Sequence, residues 1–433
     1  MIIGRENELK MLHEAYSDEY SQFVVVYGRR RVGKTFLVRE AFNYKFTFQH
    51  SGIANAPRSS QLEEWGKSLQ KHGLKGKTTP KDWFEAFSFL DDLIRKSRAK
   101  KKVVFIDELP WMDTQASNFV PALEHFWNAY ASARKDVLLI VCGSATSWIV
   151  DKIINNHGGL HNRLNKKINL KQFTLHECEL YAKSRKLGMQ HRQLLECYMV
   201  MGGIPFYWSL LRKDLSLPQN IDSIFFSEDG ELKDEFDALY RSLFKKPESY
   251  LSVINALGKK RIGMTRDEIS TEANLTQGGM LTTILKDLEH CGFIRKYNQI
   301  GKLSKGAMYQ LVDFYTLFYF KFILENKRHD PNFWSKSAGS SLYNNWCGLA
   351  FERVCFAHIL QIKQALSIGG VVSNEYSWFV RRTDDRPGAQ IDLLLDRGDQ
   401  TINICEIKYT SSSEFVLNEE EETKILSRRE RFI

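Results

Sequence analysis

One stretch limits the folds open to this chain more than any other: Gly28-Arg29-Arg30-Arg31-Val32-Gly33-Lys34-Thr35. The apolar run Phe23-Val24-Val25-Val26-Tyr27 precedes it and Phe36-Leu37-Val38-Arg39-Glu40-Ala41 follows, so it sits where a buried strand hands over to a helix. A glycine-rich turn ending in Lys-Thr at a helix N-terminus aims backbone N–H groups and the positive end of the helix dipole at one point, which suits a polyphosphate. Lys34 is placed to reach the β- and γ-phosphates, and the Thr35 hydroxyl to ligate Mg²⁺. The competing reading, a chance basic turn, leaves the strand, both glycines, the lysine and the threonine without a common reason. All eight residues, Gly28, Arg29, Arg30, Arg31, Val32, Gly33, Lys34 and Thr35, are therefore expected to cradle ATP.

A parallel sheet then needs further strands ending on the same edge. Lys102-Val103-Val104-Phe105-Ile106-Asp107-Glu108-Leu109-Pro110-Trp111 is an apolar run closed by two acids, as expected of a buried strand whose carboxyl end faces the ligand. This Walker B pattern assigns Asp107 to Mg²⁺ and Glu108 to the attacking water, whereas alone the pair would read as a solvated turn. Val137-Leu138-Leu139-Ile140-Val141-Cys142 is another strand, after which Ser144 is either a γ-phosphate sensor or a turn serine. Phe46-Thr47-Phe48-Gln49 and Ile168-Asn169-Leu170 read as shorter strands. Arg163 is either an arginine finger or a surface arginine.

Size and composition set the frame. A chain of 433 residues predicts two to four domains, and 43% hydrophobic content supports packed cores. A net charge of +9 is compatible with nucleic acid without requiring it. The seven cysteines lack any C-x-x-C pair and read as reduced thiols. Neither a signal-peptide pattern nor a run of about 18 apolar residues occurs, so a cytoplasmic protein without a membrane partner is expected.

The P-loop, the Asp107-Glu108-Leu109-Pro110-Trp111 strand end, Gly143-Ser144, Asn162-Arg163 and the later Gly202-Gly203-Ile204-Pro205-Phe206-Tyr207 together resemble archaeal and bacterial ATPases of the STAND branch of AAA-like P-loop proteins. The opening Ile3-Gly4-Arg5-Glu6-Asn7-Glu8-Leu9 resembles the box that packs near adenine in that family. The resemblance implies an α/β P-loop NTPase with a five-stranded parallel sheet in residues 1–175, a helical lid in 176–245, a winged helix in 246–310, and an incomplete PD-(D/E)XK nuclease-like domain of the DUF234 type in 311–433.

Each part has its own signal. Apolar spacing between Thr174 and Tyr240 is helical, and Gly202-Gly203 with Pro205 marks either a hinge facing the nucleotide or a plain helix cap. Thr265 and Glu268 form a capping box, followed by an expected recognition helix from about Thr276 to His290 that exposes Gln277, Thr282, Thr283 and Lys286. The aromatic run from Leu311 to Phe320 reads as a core helix rather than a stacking platform. Beyond it, Glu352 on a helix, Asp392 on one strand, and Glu406 with Lys408 on the next predict a Mg²⁺ site of nuclease type. The family pattern continues past that strand and this sequence stops short of it, which puts cleavage in doubt.

The expected function is an ATP-driven switch engaging double-stranded DNA or a protein partner, with a homo-oligomer as a further expectation. An ATP-regulated endonuclease and a non-catalytic signalling scaffold stand beside it as alternatives.

Overall fold

The apolar runs of the first 170 residues become five parallel strands of one sheet. In chain order they are β1 (Gln22–Tyr27), β2 (Phe48–Ser51), β3 (Lys102–Asp107), β4 (Val137–Gly143) and β5 (Lys166–Asn169), arranged spatially as β2-β3-β4-β1-β5. The structure is a computed structural model that describes every residue except 1, 77, 157, 245, 299, 301–306, 381–387 and 411–413. The expected boundary at residue 245 lies outside the described residues. Two units emerge: Met1–Phe173 with Ile204–Ser209, and Thr174–Gly203 with Leu210–Ile433.

In the first unit, burial on both faces explains why the strands are continuous apolar runs rather than alternating ones: every residue of β4 is buried. Helices α1 (Glu6–Ser17), α2 (Lys34–Ala41), α3 (Arg58–Lys71), α4 (Trp83–Lys96), α5 (Phe119–Phe126) and α6 (Thr146–Ile149) accompany the sheet. Asp82 starts α4 by accepting the Glu85 N–H at 2.9 Å. One face of the sheet, carrying Phe23, Val104, Ile106 and Leu139, shares a core with Trp65, Trp83, Phe87 and Phe119. Because β4 lies between β1 and β3, the turn after β1 and the acids after β3 flank the end of β4.

His50 sits inside this core, 4% exposed, with Nδ1 paired to the Ser68 hydroxyl at 2.9 Å. Burial pushes its pKa down to about 4. Between pH 6.5 and 4 the unfolded chain therefore binds a proton that the folded chain refuses, so this contribution to stability is lost as pH falls. Lowering the pH from 7.5 to 5.5 is expected to cost about 1.4 kcal/mol through His50 alone. Urea unfolding of the protein and of His50→Asn at both values checks this; equal losses in the two would show that His50 does not titrate on unfolding.

The second unit is mainly helical, with two small antiparallel sheets. Thr174 opens helix Leu175–Ser184 with a capping box, and helix His191–Met201 follows. Helix Pro247–Gly258 leads to β6 (Met264–Thr265), helices Arg266–Glu272 and Gly279–His290, then β7 (Ile294–Tyr297) and β8 (Met308–Leu311), which pair as β6-β8-β7. The Thr265–Glu268 capping box is present, and Gln277, Thr282, Thr283 and Lys286 are exposed. The expected aromatic core helix is also found, since Phe314, Tyr315, Phe318 and Phe322 are buried and the latter two meet Trp334 and Trp346.

The third sheet contains β9 (Ser373–Val380), β10 (Ala389–Arg397) and β11 (Ile402–Cys405), ordered β11-β10-β9. It corrects one expectation: the last strand ends at Cys405, so Glu406 and Lys408 lie beyond it and no strand pleat fixes them on one face. The chain turns out of the ladder where the Ile407 N–H donates to the Asp392 carboxylate at 3.0 Å instead of to a neighbouring strand.

Candidate nucleotide site

The turn after β1 depends on its glycines. Gly28 has φ 142°, and a Cβ there would come within 2.2 Å of the Leu170 carbonyl oxygen, so no side chain fits. Gly33 has φ 91° and caps α2, whose first residue is Lys34. The side chain of Lys34 is 5% exposed, and its ammonium donates to the carbonyls of Gly28 at 2.9 Å and Arg29 at 2.8 Å. The loop thus folds around its own lysine.

The other side chains form a linked series. Thr35 Oγ1 donates to Asp107 Oδ2 at 2.6 Å, and Asp107 Oδ1 accepts the Glu108 backbone N–H at 2.9 Å. Glu108 adopts φ 51°, and its carboxylate accepts the Ser144 hydroxyl at 2.7 Å and, more weakly, the Ser144 N–H at 3.4 Å. Gly143 allows this approach, since a Cβ there would press within 2.8 Å of Pro110 Cδ. Thr35, Asp107, Glu108 and Ser144, read separately from three strand ends, are brought together. Burial pushes the Cys142 thiol well up, and the neighbouring Asp107 adds to that, so the cysteine beside the series stays protonated.

Arg163 is placed differently. It is exposed on the turn before β5, with its backbone N–H on the Leu160 carbonyl at 3.0 Å, and is not joined to the Thr35–Asp107–Glu108–Ser144 series among the described residues. Two other arginines named in the sequence make contacts within this unit that sequence reading did not foresee. Arg5 is 6% exposed, donates to the Lys171 carbonyl at 2.7 Å and lies 4.6 Å from the Phe173 ring. Arg31, at φ 69°, stacks 4.5 Å from the ring of Phe206, in the Gly202–Tyr207 element. Neither contact has a local signal, because the partners stand 166 and more residues away.

The nuclease-type residues show another arrangement. Glu352 is 4% exposed and paired with Arg261 at 2.6 Å and Arg353 at 2.8 Å; burial alone would raise its pKa, but the two guanidiniums outweigh it and hold it low. Glu406 pairs with Arg428 at 2.5 Å and Lys408 at 2.9 Å. Burial pushes the Asp392 carboxyl up. Among the described residues no group of three or more His, Cys, Asp or Glu side chains is set to hold a metal ion.

A phosphate-binding turn between strand and helix, two acids after β3 and the 2-3-4-1-5 parallel sheet define a P-loop nucleoside triphosphatase. Residues 2–211 match the family described as an ATPase domain predominantly from Archaea, in keeping with a P-loop ATPase domain in this part of the chain. The chain is 24% identical over 416 residues to an uncharacterized protein of Methanocaldococcus jannaschii, spanning 94% of this chain and 88% of the relative. A second, shorter match is to an uncharacterized ATP-binding protein of the same archaeon, 36% identical over 45 residues, 10% of this chain and 76% of the relative. The fold is similar to that of a Walker-type ATPase of Pyrococcus abyssi, with a TM-score of 0.53 at 18% identity over 74% of this chain and 96% of that one. No described helix is long and apolar enough to cross a membrane.

Proposed function

We propose that the chain is a Mg²⁺-dependent ATPase of the STAND branch, a switch whose nucleotide state governs how the rest of the chain engages DNA or a protein partner. The observation that carries this reading is the series Thr35–Asp107 and Glu108–Ser144 beside the buried Lys34 ammonium. Thr35 Oγ1 and Asp107 Oδ2, 2.6 Å apart, are a hard oxygen pair that would hold Mg²⁺. When bound, the metal supplies charge neutralisation on the phosphate oxygens. Lys34 exchanges its two carbonyl partners for phosphate oxygens, Glu108 orients and deprotonates the attacking water, and Ser144 holds the Glu108 carboxylate at the end of β4. Exposed Arg163 is free to approach a phosphate of its own or a neighbouring subunit's site.

In the second unit we read residues 246–310 as a winged helix, with Thr282, Thr283 and Lys286 exposed on its helix Gly279–His290, and the C-terminal sheet as a nuclease-like fold. Glu352 and Glu406 are already neutralised by arginines, which favours binding over cleavage for that domain. Phosphate release with ATP and Mg²⁺ tests the proposal: turnover is expected, with loss to background in EDTA and a fall of about tenfold or more in Thr35→Ala. Supercoiled plasmid is expected to stay intact with every nucleotide. Absence of turnover would overturn the ATPase reading, and nicking abolished by Lys408→Ala would restore the endonuclease.

A further inference from the structure

The rim of the sheet opposite the nucleotide site carries a feature the ATPase chemistry does not use. Thr47, just before β2, and Val103, near the start of β3, line a cavity of about 1190 Å³ in the first unit. Along β3, Val103 on this rim lies four residues from Asp107, roughly 13 Å at the strand rise. Among the described residues that line it there are four lysines and no aspartate or glutamate.

The lysines divide by role. Lys101 is structural, its ammonium donating to the carbonyls of Asp18 and Tyr20 at 2.8 Å and Lys135 at 3.3 Å. Lys45, Lys71 and Lys96 are exposed, and none has a carboxylate within ion-pairing distance among the described residues. Two aromatic residues join them: Tyr16 is 42% exposed and Tyr44 is 57% exposed. Tyr44 follows Asn43 in two successive left-handed residues, φ 49° and 59°, a conformation that disfavours a bulky side chain and here turns the tyrosine outward.

We propose that this cavity binds single-stranded nucleic acid, with Lys45, Lys71 and Lys96 meeting successive phosphates and Tyr16 and Tyr44 stacking on bases. Ammonium groups alone would suit any polyanion, whereas open aromatic faces beside them add the π-surface that unpaired bases use and an acidic peptide lacks. The site reads backbone and stacking, so little sequence preference accompanies it.

Fluorescence anisotropy of a labelled oligothymidylate 12-mer with the full chain is the test. Binding is expected with a log–log salt slope of about −2, the value for three neutralised phosphates on a single strand. The triple variant Lys45→Glu/Lys71→Glu/Lys96→Glu should bind at least tenfold more weakly with unchanged ATP turnover, as should Tyr44→Ala to a smaller degree. Photo-crosslinking with a bromodeoxyuridine oligomer should label Tyr16 or Tyr44. Wild-type affinity in the triple variant, crosslinks confined to residues 264–311, or stronger displacement by polyglutamate than by unlabelled oligothymidylate would each overturn the assignment.

Discussion

Glu108→Gln is expected to slow ATP turnover by about 10²–10⁴-fold while leaving ATP bound, the range a positioned general base contributes. The substitution keeps size and hydrogen-bonding shape, because the amide oxygen can still accept the Ser144 hydroxyl that the carboxylate accepts at 2.7 Å. It removes the capacity to take a proton from water. Ser144→Ala separates positioning from chemistry: Glu108 keeps its base but loses a holding contact, so a fall of about tenfold is expected, the scale of one hydrogen bond to a charged group. Rapid-quench measurement of the chemical step, with filter binding of radiolabelled ATP, checks both. Turnover unchanged in Glu108→Gln would mean that another group activates the water, and loss of binding would mean that Glu108 supports the pocket instead.

The nucleotide half of the molecule was legible because its signals are local. A buried parallel strand must be apolar throughout, a strand-to-helix turn at Gly28 admits no Cβ, and acids at the end of β3 have few other reasons to follow such a run. The parts that were not legible rest on distance in sequence. Nothing around Arg31 announces that its guanidinium will lie on Phe206, and nothing around Glu352 announces Arg261. Glu406-Ile407-Lys408 shows the opposite error. Its alternation looks like one more strand, yet the ladder stops at Cys405, the Ile407 N–H goes to the Asp392 carboxylate, and Arg428 from the helix Glu419–Phe432 pairs with Glu406. Period-two patterning describes what a strand permits, whereas the length of a ladder is decided by partners the pattern does not contain.

Lys34→Ala is expected to weaken ATP binding by about 10–100-fold, the effect of losing 1.5–3 kcal/mol of charge-assisted hydrogen bonding to phosphate, and to reduce turnover further. Thermal stability provides a reading independent of hydrolysis. A ligand at 100 times its Kd stabilises the folded protein by about 2.7 kcal/mol, and a 100-fold weaker Kd at the same concentration leaves about 0.4 kcal/mol. Adding ATP should therefore raise the Tm of the protein by several degrees and that of Lys34→Ala hardly at all. Truncation also leaves the Gly28 and Arg29 carbonyls without the ammonium that now bridges them, so the ligand-free variant should itself melt lower. Lys34→Arg should rescue neither property, since a planar guanidinium does not fit a slot shaped to a compact ammonium 2.8 to 2.9 Å from two carbonyls. An ATP-induced shift equal to that of the wild type in Lys34→Ala would place the nucleotide elsewhere. Rescue by arginine would show that charge alone, rather than the geometry of the loop around its lysine, is what the site requires.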